Sequence, residues 1–268
     1  MSKTLKTLCA SALLSVICGI ILGLIRGNIM FQSPYPSFYL ALTVSVVLLA
    51  IASYFIKSTF SCESNEDYSI STIPSNWEMK YKKSFQVMQI ISAFLIIMAS
   101  IRGLVFSNNS TLTIILSIFS FVCAVSIVLR VKSRESAENT ALFSLFPVFY
   151  LCVYLLTFYR STAKYPDLNL FGPQILTLAS LVISAYLNSA TKFGVKTYIF
   201  RFLFTLSSFA LTIGDLIAYV IDSNTLSITE PAIYLPTIFG FILFYLVTLF
   251  IPPVKIFDLN SKAKKTKK

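Results

Sequence analysis

The chain has 268 residues, 56% of them hydrophobic and only 12% charged, with a mean hydropathy of +0.78. So little polar surface cannot solvate a water-soluble globule, which excludes most soluble enzyme and binding-module classes. The formal net charge is +11, from 22 Lys and Arg against 11 Asp and Glu, and histidine is absent. That absence removes His-based metal sites, His general bases and Ser-His triads.

A helix needs about 20 mostly apolar residues to cross a hydrocarbon core about 30 Å thick. Eight runs fit that requirement: 8–25, 37–56, 85–106, 111–129, 142–159, 173–187, 198–221 and 231–251. The sixth is the shortest, and its helix is expected to begin earlier, near Asp167. The runs are continuous rather than alternating, which argues against barrel strands. The expected fold class is therefore all-α, a polytopic membrane helix bundle of about eight transmembrane helices. It forms a single integral membrane domain over 1–268, with a basic tail at 252–268.

The first run is longer than a signal-peptide core and no small-x-small cleavage pattern follows it, so it reads as a retained helix. Cys9, Cys18, Cys62, Cys123 and Cys152 contain no CxxC pair and suggest neither a disulfide framework nor a metal site.

Orientation follows from the cations between the spans. Lys3, Lys6, Lys57, Lys80, Lys82, Lys83, Arg130, Lys132, Arg134, Lys192, Lys196, Arg201, Lys255 and the five lysines of 262–268 fall on one side. Only Arg26, Arg102, Arg160 and Lys164 fall on the other. The crowded side is expected to be cytoplasmic, giving an N-in/C-in topology. This bias accounts for the positive charge without nucleic acid, since no folded basic module accompanies the tail. The expected partners are the lipid bilayer and, for the Lys-rich tail, anionic lipid.

The segment 57–84 is the longest connection. Its first half is polar; in its second half Ser75-Asn76-Trp77-Glu78 has capping-box spacing and predicts an interfacial extension of the third span. The same helix face of the first span carries Gly19, Gly23 and Gly27, a small-residue stripe that lets another backbone come close. Whether that backbone belongs to this chain or to a second copy is open at this level. Pro147 and Pro236 lie inside spans and are expected to kink them.

Charges recur near the outer ends of the odd-numbered spans. Ile25-Arg26-Gly27 and Ile101-Arg102-Gly103 match, Arg160 is a looser echo, and the seventh span carries Asp215. The chain can be described as four tandem helical hairpins, and internal symmetry of this kind is common in transporters. The arginines can snorkel to the interface. Asp215 is too short to do so; it is expected to face protein and to be held by Arg102, by Arg26, or by the hydroxyls of Thr212 and Ser208. Asp215, Arg26, Arg102 and Arg160 form the candidate intramembrane polar site. No catalytic or cofactor motif is present, and no cofactor or metal is expected.

Phe149-Tyr150-Leu151-Cys152 through Tyr159-Arg160-Ser161, then Pro166-Asp167-Leu168 and Gln174-Ile175-Leu176 to Ala185-Tyr186, resembles a stretch of one uncharacterised family. Its members are small multispanning membrane proteins of Gram-positive bacteria. In them, too, an arginine follows an apolar helix and a polar turn leads into a helix ending Ala-x-Tyr. The resemblance implies a bacterial cell (cytoplasmic) membrane and no activity.

The functional expectation is a non-enzymatic multi-pass membrane protein, either a small transporter or an accessory membrane subunit. The alternative is a membrane scaffold or interaction protein without a transport pathway, and an intramembrane enzyme using Arg, Ser and Tyr is the remaining option. A transporter should line a wet cavity with Asp215 and an arginine. A scaffold should show these groups paired and buried.

Overall fold

Long apolar runs leave helix as the backbone state that satisfies every N–H and C=O away from water. The computed structural model describes residues 3–29, 35–59, 68–69, 76–105, 111–132, 137–164, 171–189, 192–193, 195–221, 231–249 and 254–255. Within them the chain forms α1 (Lys3–Ile29), α2 (Tyr35–Thr59), α3 (Asn76–Val105), α4 (Thr111–Lys132), α5 (Ala137–Thr162), α6 (Gly172–Ser189), α7 (Val195–Ile221) and α8 (Pro231–Leu249). The protein is an all-α membrane helix bundle. Six helices, α1 to α5 and α7, are long and apolar enough to cross a bilayer.

The other two helices, α6 and α8, fall short of that mark. In α8 the apolar stretch is Ile233–Leu249. Eighteen residues make α6 about 27 Å long, and its buried stripe includes Gln174, Thr177, Ser184 and Asn188. Those side chains face protein, which explains why α6 is the least obvious span by hydropathy. It starts at Gly172; Asp167, where an earlier start was expected, lies outside the described residues, as does Ser75 of the capping box. The predicted extension of the third span is present, since α3 runs unbroken from Asn76. Pro147 and Pro236 are accommodated inside α5 and α8.

Three two-residue strands were not expected. Tyr68–Ser69 (β1) pairs antiparallel with Lys192–Phe193 (β2) and Val254–Lys255 (β3), in the order β2-β1-β3. They join the 57–84 segment, the α6–α7 connection and the start of the tail at the basic end of the bundle.

The two helices of each expected hairpin touch (α1 with α2, α3 with α4, α5 with α6, α7 with α8), whereas α2 and α3 do not pack together, and the most extensive contacts are α1 with α7 and α3 with α8. One core cluster joins α3, α4, α5, α6 and α8 around Ile96, Cys123, Tyr150, Leu181 and Phe241. A second joins α1, α2, α7 and α8 around Cys18, Leu49 and Phe202. Outward-facing positions carry large apolar side chains such as Leu13, Ile17, Val47, Phe94, Leu156 and Val220, a surface that a water-soluble monomer would not sustain. Many hydroxyls inside the spans bond a carbonyl of their own helix, as Ser53 does to Leu49 and Thr212 to Ser208. This is an inexpensive way to carry polar groups in an apolar setting.

The glycine stripe meets α7 of the same chain. A Cβ at Gly19 would fall 2.6 Å from the Ala210 carbonyl oxygen and 2.8 Å from Ile213 Cβ. At Gly23 it would fall 2.6 Å from Ile217 Cβ and 2.8 Å from the Gly214 oxygen, and at Gly27 2.8 Å from Ile221 Cδ1. The contacts advance together along both helices, so α1 and α7 are parallel. Ser15 adds an interhelical bond to the Leu206 oxygen at 2.7 Å. Because the blocking atoms are backbone or branched Cβ atoms, Gly23→Ala should cost about 1–3 kcal/mol of stability and Gly23→Leu more. Thermal unfolding in detergent checks this; an unchanged midpoint for Gly23→Leu would contradict the seam.

Candidate functional site

The α1–α7 seam sets the level of the charges far from the basic end. With Gly23 against Ile217 and Gly27 against Ile221, Arg26 stands level with Val220, about 7.5 Å along the axis from Asp215, and its long side chain spans the difference. Arg26 Nη1 donates to Asp215 Oδ1 and forms an ion pair with it. Asp215 is 1% exposed and Arg26 6%, so the pair is interior although the cation comes from a helix end.

The second carboxylate oxygen is also engaged. The Tyr234 hydroxyl of α8 donates to Asp215 Oδ2 at 3.0 Å, and the Thr177 hydroxyl of α6 lies beside the same carboxylate. The Tyr234 ring stacks on Phe158 of α5, with centroids 6.4 Å apart and planes 26° from parallel. Four helices thus meet at one carboxylate, and a fifth, α5, backs the phenol. Asp215 lies six residues before the end of α7, about 9 Å in along the axis. Unpaired, it would carry a desolvation cost of several kcal/mol; here a charge and a charge-assisted hydrogen bond offset it.

Of the four sequence candidates the structure brings together only Asp215 and Arg26. Arg102 is on the exposed side of α3 and Arg160 on the exposed side of α5. The expectation that Arg102 could hold Asp215 is therefore not met. Both Ile-Arg-Gly copies do press their glycine on a neighbour, since Gly103 abuts Ser117 of α4 as Gly27 abuts Ile221. What differs is which helix lies alongside: α1 borders α7, whereas α3 borders α4 and α8. The alternative partners Thr212 and Ser208 have donated their hydroxyls to Ser208 and Thr205 carbonyls. Tyr234 and Thr177 were missed by sequence reasoning. Their one signal was a polar group a turn or two inside the start of an even-numbered span.

A further correction concerns two cations counted as connecting-segment charges. Arg130 and Arg201 lie inside α4 and α7, 8% and 1% exposed. The Arg130 guanidinium sits over the Phe244 ring, 5.2 Å from its centroid, in the cation–π range. Among the described residues no group of three His, Cys, Asp or Glu side chains gathers as a metal site, and Cys9, Cys18, Cys123 and Cys152 are free thiols.

Compared with protein-family models, curated proteins and solved structures, the chain matches none.

Breaking a buried pair from one side strands the other charge, so Asp215→Asn should cost about 3–5 kcal/mol. Tyr234→Phe removes one bond to a charged acceptor and keeps the ring stack, for about 1.5–3 kcal/mol. Chemical unfolding in detergent would rank them in that order; equal and negligible losses would show that the carboxylate does not depend on these partners.

Proposed function

We propose that the protein is a non-enzymatic accessory or scaffold subunit of a bacterial cytoplasmic membrane, with both termini in the cytoplasm. The single observation that carries this reading is the engagement of both Asp215 oxygens, by Arg26 and Tyr234, inside the bundle. A coupling carboxylate in a carrier has to exchange partners with water or an ion. Asp215 instead serves as an internal tie between α1, α7 and α8, which suits a helix bundle that holds its shape while other proteins use its faces. The resemblance of the 149–186 segment supports the membrane, the cation asymmetry supports the orientation, and the apolar flanks of the helices suit contact with lipid.

A small transporter is the competing class, and accessibility separates the two. Thr212 is buried next to the tie and its hydroxyl serves only its own helix, so Thr212→Cys is a mild probe in a background free of native cysteines. In proteoliposomes it should stay unreactive toward a small impermeant thiol reagent over hours. Labelling at the rate of an exposed control would establish an opening outer half and favour a transporter. The orientation has its own check in intact cells: cysteines placed at 107–110 should label with an impermeant maleimide, and cysteines at Lys132 or Lys264 should not.

A further inference from the structure

The two ends of the bundle treat charge differently. At the outer end a cation meets an anion. Near the basic end Arg201 is buried to the same degree as Asp215, 1% exposed, yet its Nε and Nη2 have no hydrogen-bond partner. Arg201 lies six residues into α7, about 9 Å from its start. Asp215, the one acid among residues whose side chains are described, is fourteen residues further along the helix, about 21 Å away, and is occupied by Arg26.

An arginine has no neutral option. Its guanidinium stays charged at any physiological pH, so burial obliges it to find an anion or well-placed acceptors. The two idle nitrogens are informative in themselves. Nε–H and the adjacent Nη2–H point the same way along one edge of the planar group, the pair of parallel donors that grips two oxygens of an oxyanion side-on.

The surroundings are built rather than accidental. Tyr245 of α8 lies within electrostatic reach of both Arg201 and Arg130, which brings two buried cations from different helices around one phenol. The Phe244 face supports the Arg130 guanidinium. Tyr198, one turn before Arg201, donates to the Leu249 oxygen at 2.8 Å and closes the α7–α8 joint beside it.

We propose that the basic end of the bundle binds a phosphate-type oxyanion, gripped side-on by the idle Nε–Nη2 edge of buried Arg201 and flanked by Arg130. Two guanidiniums on different helices suit a tetrahedral phosphate, which offers oxygens in several directions, better than a planar carboxylate. The phosphate can belong to a soluble ion or to the headgroup of an anionic lipid, since the site lies near the headgroup level of the basic side. The site is independent of the role proposed for the Arg26–Asp215 tie and stands if that role fails.

The test uses full-length protein, delipidated in a mild detergent, with thermal unfolding followed at constant ionic strength set by chloride. Inorganic phosphate is titrated in one arm; phosphatidylglycerol is compared with phosphatidylcholine in the other. Binding at saturation should raise the unfolding midpoint by roughly 5 °C. A response to inorganic phosphate identifies a soluble anion, and one to phosphatidylglycerol alone identifies a headgroup. Arg201→Lys keeps the charge and loses the paired donors, so it should fold and bind at least 10-fold more weakly; Arg130→Gln should weaken binding independently. No midpoint shift in either arm, equal shifts with both lipids, or a shift undiminished in Arg201→Lys would overturn the proposal.

Discussion

An ionised carboxylate in the apolar interior of a bundle must be matched nearby, and that requirement organises the half of this protein away from its basic end. Asp215 is matched from α1 by Arg26 and from α8 by Tyr234, with Thr177 of α6 alongside. Reach is the limiting factor. Arg26 can arrive only because α1 approaches α7 to within backbone contact, and α1 can approach only because Gly19, Gly23 and Gly27 present no side chain on that face. At Gly214, on the other side, an added Cβ would make only ordinary contact, 3.4 Å from the Gly19 oxygen, so the close approach depends on the α1 glycines. Small residues in a membrane helix gain no hydrophobic free energy by associating; they gain van der Waals contact, and here that contact also delivers a charge.

The resulting molecule is electrostatically lopsided. The end that holds Asp215 closes on itself, with cation, anion and phenol in one cluster. Its basic end keeps buried positive charge in Arg201 and Arg130 and is laced by Tyr198 to α8 and by three short strands to the adjoining segments. A bundle arranged this way resists separation of α1 from α7 at one end, while at the other Arg201 keeps Nε and Nη2 without a hydrogen-bond partner. The aromatic stack of Tyr150 on Phe241, 5.5 Å apart, joins α5 to α8 between the two ends and adds no charge of its own.

Much of this was legible in the sequence, and the part that was not has a physical reason. Helix positions follow from apolar run length, and the glycine stripe follows from spacing within one helix. The need of Asp215 for a partner follows from its short side chain. The partner's identity does not follow, because Arg26 and Arg102 sit in the same Ile-Arg-Gly context and differ only in which helix lies alongside. Arg26 and Asp215 are 189 positions apart, a separation that local patterning cannot bridge. Arg130 and Arg201 were misread for a related reason: a cation at a helix end looks the same whether it snorkels outward or turns in, and only neighbours such as Phe244 and Tyr245 decide. The polar stripe of α6 lowered its hydropathy because its partners, such as Thr205 bonded to Ser184 at 2.6 Å, are found only once the helices are assembled.

The central claim is that Arg26 and Asp215 stabilise the fold as a pair, and a double-mutant cycle tests it most directly. Unfolding free energies are measured in one detergent for wild type, Arg26→Gln, Asp215→Asn and the double variant. The account predicts that the double variant is at most as destabilised as the worse single variant, with a coupling of about 1–3 kcal/mol. Strictly additive losses would mean that the two side chains act separately, and would contradict a stabilising pair between α1 and α7.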